Sequence, residues 1–597
     1  MISRPKVLLA AGLLSLLAWS LPGAAQQDAS LEAARAALER GDGIAAEVEI
    51  EQALERGVPR PVLAARMGEA QLLQGNLAKA REWLAPAEFI ESERVHGFRM
   101  LAQLEIREGR LEEAGFAYDA ALAFAPEDPE LWVDIARLRY AANNQLGALE
   151  ASDYALQFES ENAAALQLKA QLIRDAEGLE AALPWFERAL EQAPDDLGLL
   201  GDYAATLSDA GRAGEMLTVV RRMIELDPRN PRAFYLQAVL AARTGRYRLA
   251  RQLMYRTADA FAEMPAAMLL EVVLDLADGN AGLASETLFQ LNDRLPNNRQ
   301  IQELQATALT QDGATGEVIA LFGELARAPG ASSYLITTVA RAHEAEGDRE
   351  QAGELLDRAA QVRSLELVPL GVAADTDYLG RQAGENPGRI DYGIAAIRSL
   401  VAAGQAGEAV RAADNLAARF PGAFDVMTIR ADAYLANGDP AAALGHYRRA
   451  SSIRTTWSLT LRQVAAHRAL GRNADARSVL ADWVRQHPLD RRAGTMLAKL
   501  AIADRDWTLA NRILDFARPD ERRDPDGLAR RAIARLRSSG AGAEADAAQA
   551  YAFNRSLGAA SYAYALALGG DVGDGRARAL LTKAERMNAA GGELQSF

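Results

Sequence analysis

The chain has 597 residues, no cysteine, 49% apolar and 25% charged residues, and a formal net charge of −15. That balance excludes a disordered or collagen-like chain. The absence of cysteine excludes a disulfide framework, a thiol nucleophile, thiolate-ligated zinc and a cysteine-anchored lipoprotein.

The first predicted element is a targeting segment. Arg4 and Lys6 precede an apolar run from Val7 to Leu21, which ends at Pro22-Gly23-Ala24-Ala25. The run is shorter than the roughly 20 residues of a membrane span, and the small residues after it suit a signal peptidase. Cleavage near Ala25 is expected, with residues 1–26 as signal peptide and the mature chain periplasmic or secreted. A retained N-terminal anchor is the alternative. No later stretch approaches a span, so the mature chain is expected to carry none.

Length alone gives about four domains of roughly 150 residues, unless the chain is a repeat array. Helix-breaking marks recur at Gly41, Gly75, Gly109, Asn143, Glu177, Gly211, Gly245, Gly279, Gly313 and Gly347, always 34 residues apart. Five residues after each mark stands Ala46, Ala80, Ala114, Ala148, Ala182, Met216, Ala250, Ala284, Val318 or Ala352. Seven residues before each lies a second small-residue column running from Ala34, Gly68 and Ala102 to Ala306 and Ala340. Two small columns across a turn allow two antiparallel helices to approach closely, so the unit is a helical hairpin.

These features resemble the tetratricopeptide repeat family. An early aromatic of the first helix is matched by Trp132 and a late one by Tyr434. The family's alanine followed four residues on by an aromatic is matched by Ala114/Tyr118, Ala182/Phe186 and Ala443/Tyr447, with Val318/Phe322 a variant. Pro126, Pro194, Pro228, Pro296, Pro421 and Pro488 fall where the second helix should stop. The resemblance implies an all-α solenoid superhelix.

The register assigns ten repeats to 27–366. Marks resume at Gly404, Gly438, Gly471, Arg505, Gly540 and Asp574, with Ala409, Ala443, Ala476, Ala510, Ala545 and Ala579 as partners, giving about six more repeats over 390–597. That makes about 16 hairpins in two blocks. Between them, 367–389 reads as a break, either hinge or passive loop, with a short helix after Asp375. Arg576 to Asn588 is expected to cap the last core, and the concave surface of such an array is the default binding site.

Catalytic, cofactor and metal-binding motifs are not found, so a non-enzymatic role is expected. His343 and His467 fall in a core column, His446 and His487 are expected to be solvated, and His96 maps to the groove side. The glycine-rich stretch from Gly569 to Gly575 reads as a plain loop. Charge is less uniform: residues 451–540 carry 18 Arg/Lys against 10 Asp/Glu. Projected onto first helices, Arg462, Arg468, Arg492, Lys499, Arg530, Arg531 and Arg537 should face or flank the groove. They form a candidate electropositive site for an anionic polysaccharide or an acidic protein segment, the alternative being a solvated arginine-rich face. Nucleic acid is not expected as a partner.

The family's peptide-carboxylate clamp is not reproduced at Leu31/Arg35, Ala65/Glu69 or Arg99/Gln103. The expected function is a scaffold holding a protein or peptide in its groove, with support of exopolysaccharide or envelope export as the sharper version.

Overall fold

A computed structural model describes residues 22–589 apart from 297, 329–330, 362–369, 371–373, 518–523 and 539–540. The charged start and apolar run proposed as a signal lie outside the described residues up to 21, while 22–26 open the first helix, Pro22–Glu39. The chain divides into two compact units, 1–172 and 173–597.

The first unit holds four hairpins: Pro22–Glu39 with Gly43–Glu55, Arg60–Leu73 with Leu77–Leu84, Arg94–Arg107 with Leu111–Leu122, and Pro129–Ala141 with Gln145–Phe158. The start of Ala163–Ala176 completes it. In the second unit hairpins continue from Leu179–Gln192 to Ser333–Ala345 with Arg349–Gln361, the tenth. A lone helix, Thr376–Glu385, follows. Six further hairpins run from Ile390–Ala402 with Ala406–Arg419 to Gly558–Ala567 with Gly575–Ala589. Every regular element among the described residues is helical, and the chain is an α-solenoid of hairpins.

The turn marks work through backbone conformation. At Gly41 (φ 73°) the Gly41 amide donates to Leu38 O at 2.9 Å and the Asp42 amide to Ala37 O at 2.9 Å. That pairing closes the end of a helix with one left-handed residue, where glycine has no Cβ penalty. Asn143 (φ 58°) and Arg505 (φ 60°) adopt the same conformation. Glu177 departs from it: the left-handed residue there is Gly178, at φ 110°.

The small columns are interhelical. Ala46, Ala80, Ala114, Ala148 and Ala182 are fully buried, as are Ala34, Ala102, Ala136, Ala204 and Ala238. A Cβ on Gly68 would meet the Leu84 side chain at 2.3 Å. Ala148→Leu is therefore expected to cost about 1–3 kcal/mol by overpacking, read as a lowered thermal midpoint. An unchanged midpoint would take Ala148 out of the interhelical contact.

Two column positions are corrected. Ala545 and Ala579 are exposed, and Ala547 and Ala577 are buried in their place. In the last hairpin the reason is turn length: residues 40–42 suffice in the first hairpin, whereas 568–574 intervene in the last. The helix expected after Asp375 forms at Thr376–Glu385, with Asp375 Oδ1 accepting from the Tyr378 amide at 2.9 Å.

Packing mostly joins neighbouring hairpins, with long-range exceptions inside the second unit: Arg341 donates to Phe553 O at 2.8 Å, and residues 175–180 meet a segment near 455–486. The Thr455 amide donates to Asp175 O at 2.8 Å, and its hydroxyl donates to Ala176 O. Gln486 Oε1 accepts from the Glu180 amide at 2.9 Å, satisfying an orphan donor at the start of Leu179–Gln192. Gly178 is needed here, since a Cβ would lie 2.7–2.9 Å from the Gln486 side chain. The irregular turn thus receives a distant segment, which also reaches the regular turn at Gly211 through Pro488.

Candidate functional site

The basic residues predicted to line a groove do other work. Arg462 is 2% exposed, and its Nε donates to both oxygens of Asp432, at 2.7 and 3.0 Å. Tyr447 donates its hydroxyl to Asp432 Oδ1 at 2.7 Å. Lys499 and Arg530 are buried beside Asp526, with Arg530 Nε 3.0 Å from Asp526 Oδ1 and Lys499 Nζ paired to Oδ2. Arg531 pairs with Asp546 at 2.6 Å, and Arg535 shares that carboxylate at 2.8 Å. The expectation of a shared electropositive surface is corrected for these four. Buried cations require carboxylate partners, and each has one. Arg468, Arg492 and Arg537 are exposed, Arg492 lying 3.6 Å from Asp490.

Arginine also joins neighbouring hairpins by a recurrent device that a residue-by-residue reading misses. Arg81, six residues after its turn mark, pairs with Glu105 (3.0 Å) and Glu108 (2.8 Å) at the end of the next first helix. Arg251 holds Asp275 and Asp278 in the same relation, both at 2.8 Å, and Arg477 holds Asp504. Carboxylates at a helix C-terminus oppose its dipole, and the arginine offsets them. The signal was present in the 34-residue register, had charges been aligned as alanines were.

The histidines are packing residues. His343 is buried. His446 and His487, expected to be solvated, lie instead against Tyr434 and Trp483, with ring centroids 5.0 and 3.9 Å apart. Burial holds both below the usual histidine range. His96 Nε2 lies 2.9 Å from Glu69 Oε2. Among the described residues no group of three or more His, Asp or Glu could hold a metal ion.

A cavity opens between the first helices of the eleventh and twelfth hairpins. It has a volume of about 410 Å³. Asp391, Ile394, Ala395 and Arg398 line it from Ile390–Ala402, and the residues 34 positions on, from Asp425 to Asp432, line it from Phe424–Ala436. The spacing i, i+3, i+4, i+7 puts each set on one helix face. Leu379, from the lone helix Thr376–Glu385, closes one side.

A 34-residue hairpin, a left-handed turn residue and two buried small columns recur along both units. The fold is that of tetratricopeptide repeats. No protein-family profile and no curated protein matches the chain. Similar solved structures include PilF of Pseudomonas aeruginosa (19% identity, 36% of this chain and 99% of that one, TM-score 0.32). Another is the TPR protein YrrB, described as having an unusual peptide-binding site (22% identity, 32% and 95%, TM-score 0.24). A third is the APC/C hetero-tetramer Cut9-Hcn1 (12% identity, 96% and 95%, TM-score 0.36). The tetratricopeptide assignment rests on this chain's own register, and no helix among its described residues is long and apolar enough to cross a membrane.

Proposed function

We propose that this tetratricopeptide array is a non-enzymatic scaffold that binds protein partners along its first-helix face. The observation carrying the reading is the cavity between Ile390–Ala402 and Phe424–Ala436, built from the same four register positions in consecutive repeats. Stacked repeats characteristically present such surfaces to extended ligands. The N-terminal run from Val7 to Leu21 supports a periplasmic or secreted site of action, and support of exopolysaccharide or envelope export is the sharper form of the proposal. Direct binding of an anionic polysaccharide is less well supported, since only Arg468, Arg492 and Arg537 remain exposed of the seven basic residues. Affinity capture from the native envelope with the mature chain tests the proposal. Recovery of defined proteins in saturable, stoichiometric amounts is expected. Recovery of polysaccharide alone would overturn it.

A further inference from the structure

Exposed aromatic rings gather on the second helices of the third and fourth hairpins and directly after them. Phe116, Phe124, Tyr154 and Phe158 are exposed there by 64, 51, 47 and 40%. In the third hairpin the chain supplies its own cation to one of these rings. Phe124 stacks on Phe98, with ring centroids 6.4 Å apart, and the Arg94 guanidinium lies 5.1 Å from the Phe124 centroid. Advanced by 34 residues, Phe98 becomes Trp132 and Phe124 becomes Phe158, but Arg94 becomes Asp128. Trp132 packs against Tyr154 at 4.7 Å, while Asp128 caps Pro129–Ala141, its Oδ1 accepting from the Glu130 amide at 2.9 Å. Tyr154 and Phe158, four residues apart on one helix, share a face. Among the described residues no cation lies over either ring. The fourth hairpin thus repeats the rings of the third without the guanidinium.

Charge indicates what would cover this face. All five charged residues of Leu111–Leu122 and Gln145–Phe158 are carboxylates, and all are exposed: Glu112, Glu113, Asp119, Glu150 and Asp153. Lys169 holds Asp153 at 2.7 Å, and the other four have no ion-pair partner among the described residues. Such a surface repels nucleic acid, anionic lipid and acidic polysaccharide, and it draws cations from a distance. At short range the faces of aromatic rings attract the same charge. We propose that the second-helix face of the third and fourth hairpins docks a partner protein segment in which arginines are spaced among apolar residues, one guanidinium lying over Tyr154 and Phe158 as Arg94 does over Phe124. This surface is on the second helices, outside the first-helix reading above, so either assignment can fail without the other.

Calorimetric titration of the full chain with the blocked peptide acetyl-Ala-Arg-Leu-Leu-Arg-Phe-Ala-amide, and with its uncharged citrulline counterpart, tests the proposal. One equivalent of the arginine peptide is expected to bind, about tenfold more tightly than the citrulline peptide. Phe158→Ser leaves the net charge unchanged and should weaken the arginine peptide about fivefold, with no change in thermal midpoint. Phe158→Tyr, which keeps a ring, should bind as the parent does. Phe289→Ser removes a similarly exposed ring from the second unit, 43% against 40%, and should have no effect. Equal affinity for the two peptides, or no binding of either at millimolar concentration, would overturn the proposal. So would a Phe158→Ser variant that binds as tightly as the parent, which would reduce the effect to diffuse attraction by an acidic chain, or one with a lowered midpoint, which would make the ring a packing residue. Sedimentation showing a dimer of the parent that Phe158→Ser dissociates would assign the face to a second copy, and the proposed partner would fall with it. Loss of envelope capture by the parent chain bears on the first-helix reading alone.

Discussion

Asp526→Asn is expected to destabilise the C-terminal hairpins by about 3–5 kcal/mol, because it removes the charge of a carboxylate that two buried cations, Lys499 and Arg530, share. The measurement is the urea midpoint of the least stable transition, since a repeat array need not unfold in one step. Replacing all three residues by apolar ones of similar volume, Lys499→Met, Asp526→Leu and Arg530→Met together, should be close to neutral, as for other buried ion clusters. The same residue predicts an acid limb. Burial pushes the Asp526 carboxyl up, but the charges of Arg530 and Lys499 outweigh it and hold the group well below the usual carboxylate range. A depressed folded-state value contributes stability above the unfolded value of about 3.9, which is lost as pH falls from there toward the folded value. The loss of stability between about pH 4 and pH 2 should be shallower in Asp526→Asn than in the parent. An equally steep limb would show that other carboxylates govern it.

The second large effect is expected at Gly178. Alanine there would adopt a left-handed φ of 110° and place a Cβ within 2.8 Å of the Gln486 Cβ. At φ 110° and ψ −178° the backbone conformation is one essentially restricted to glycine and alone costs about 1–3 kcal/mol, and Gln486 must withdraw, freeing the Glu180 amide it accepts from. Hydrogen exchange at Glu180 should accelerate by at least tenfold, with little change at the amide of Ala250, which lies in another hairpin and donates to Arg246 O. Unaltered exchange at Glu180 would mean that the contact with Gln486 does not protect it. Glu177→Ala, one residue earlier and without the positive φ, is the matched control.

The repeat architecture was legible because it rests on steric rules local to each hairpin. A left-handed turn every 34 residues and alanines facing across it leave marks within a dozen positions of one another. Asp375 announced the inserted helix for the same reason: an Asx cap is read within three residues. The fates of Arg462 and Lys499 were not legible in that way. Helical projection identified a helix face, but whether a cation on it meets solvent or a carboxylate depends on the neighbouring repeat, where Asp432 lies 30 residues from Arg462 and Asp526 is the partner of Lys499. Gly178 is a stronger case still, since the group that makes glycine necessary is separated from the Glu180 amide it binds by 306 residues.

The polar contacts of Thr455 and Gln486 with residues 175–180 change how the chain would respond to force. A solenoid pulled from its ends should come apart one hairpin at a time, each release lengthening the chain by about the extension of a single repeat. Residues 180 to 486 are instead enclosed between two points that hold each other. Tension applied at the termini is carried across that junction, and the hairpins between are shielded until it parts. The stretch from 180 to about 340 then becomes available, longer than any single repeat, while Arg341 still holds Phe553 O at 2.8 Å. Two hydroxyl and amide contacts and a glutamine would thereby act as a mechanical fuse, setting the order in which most of the second unit can be drawn out.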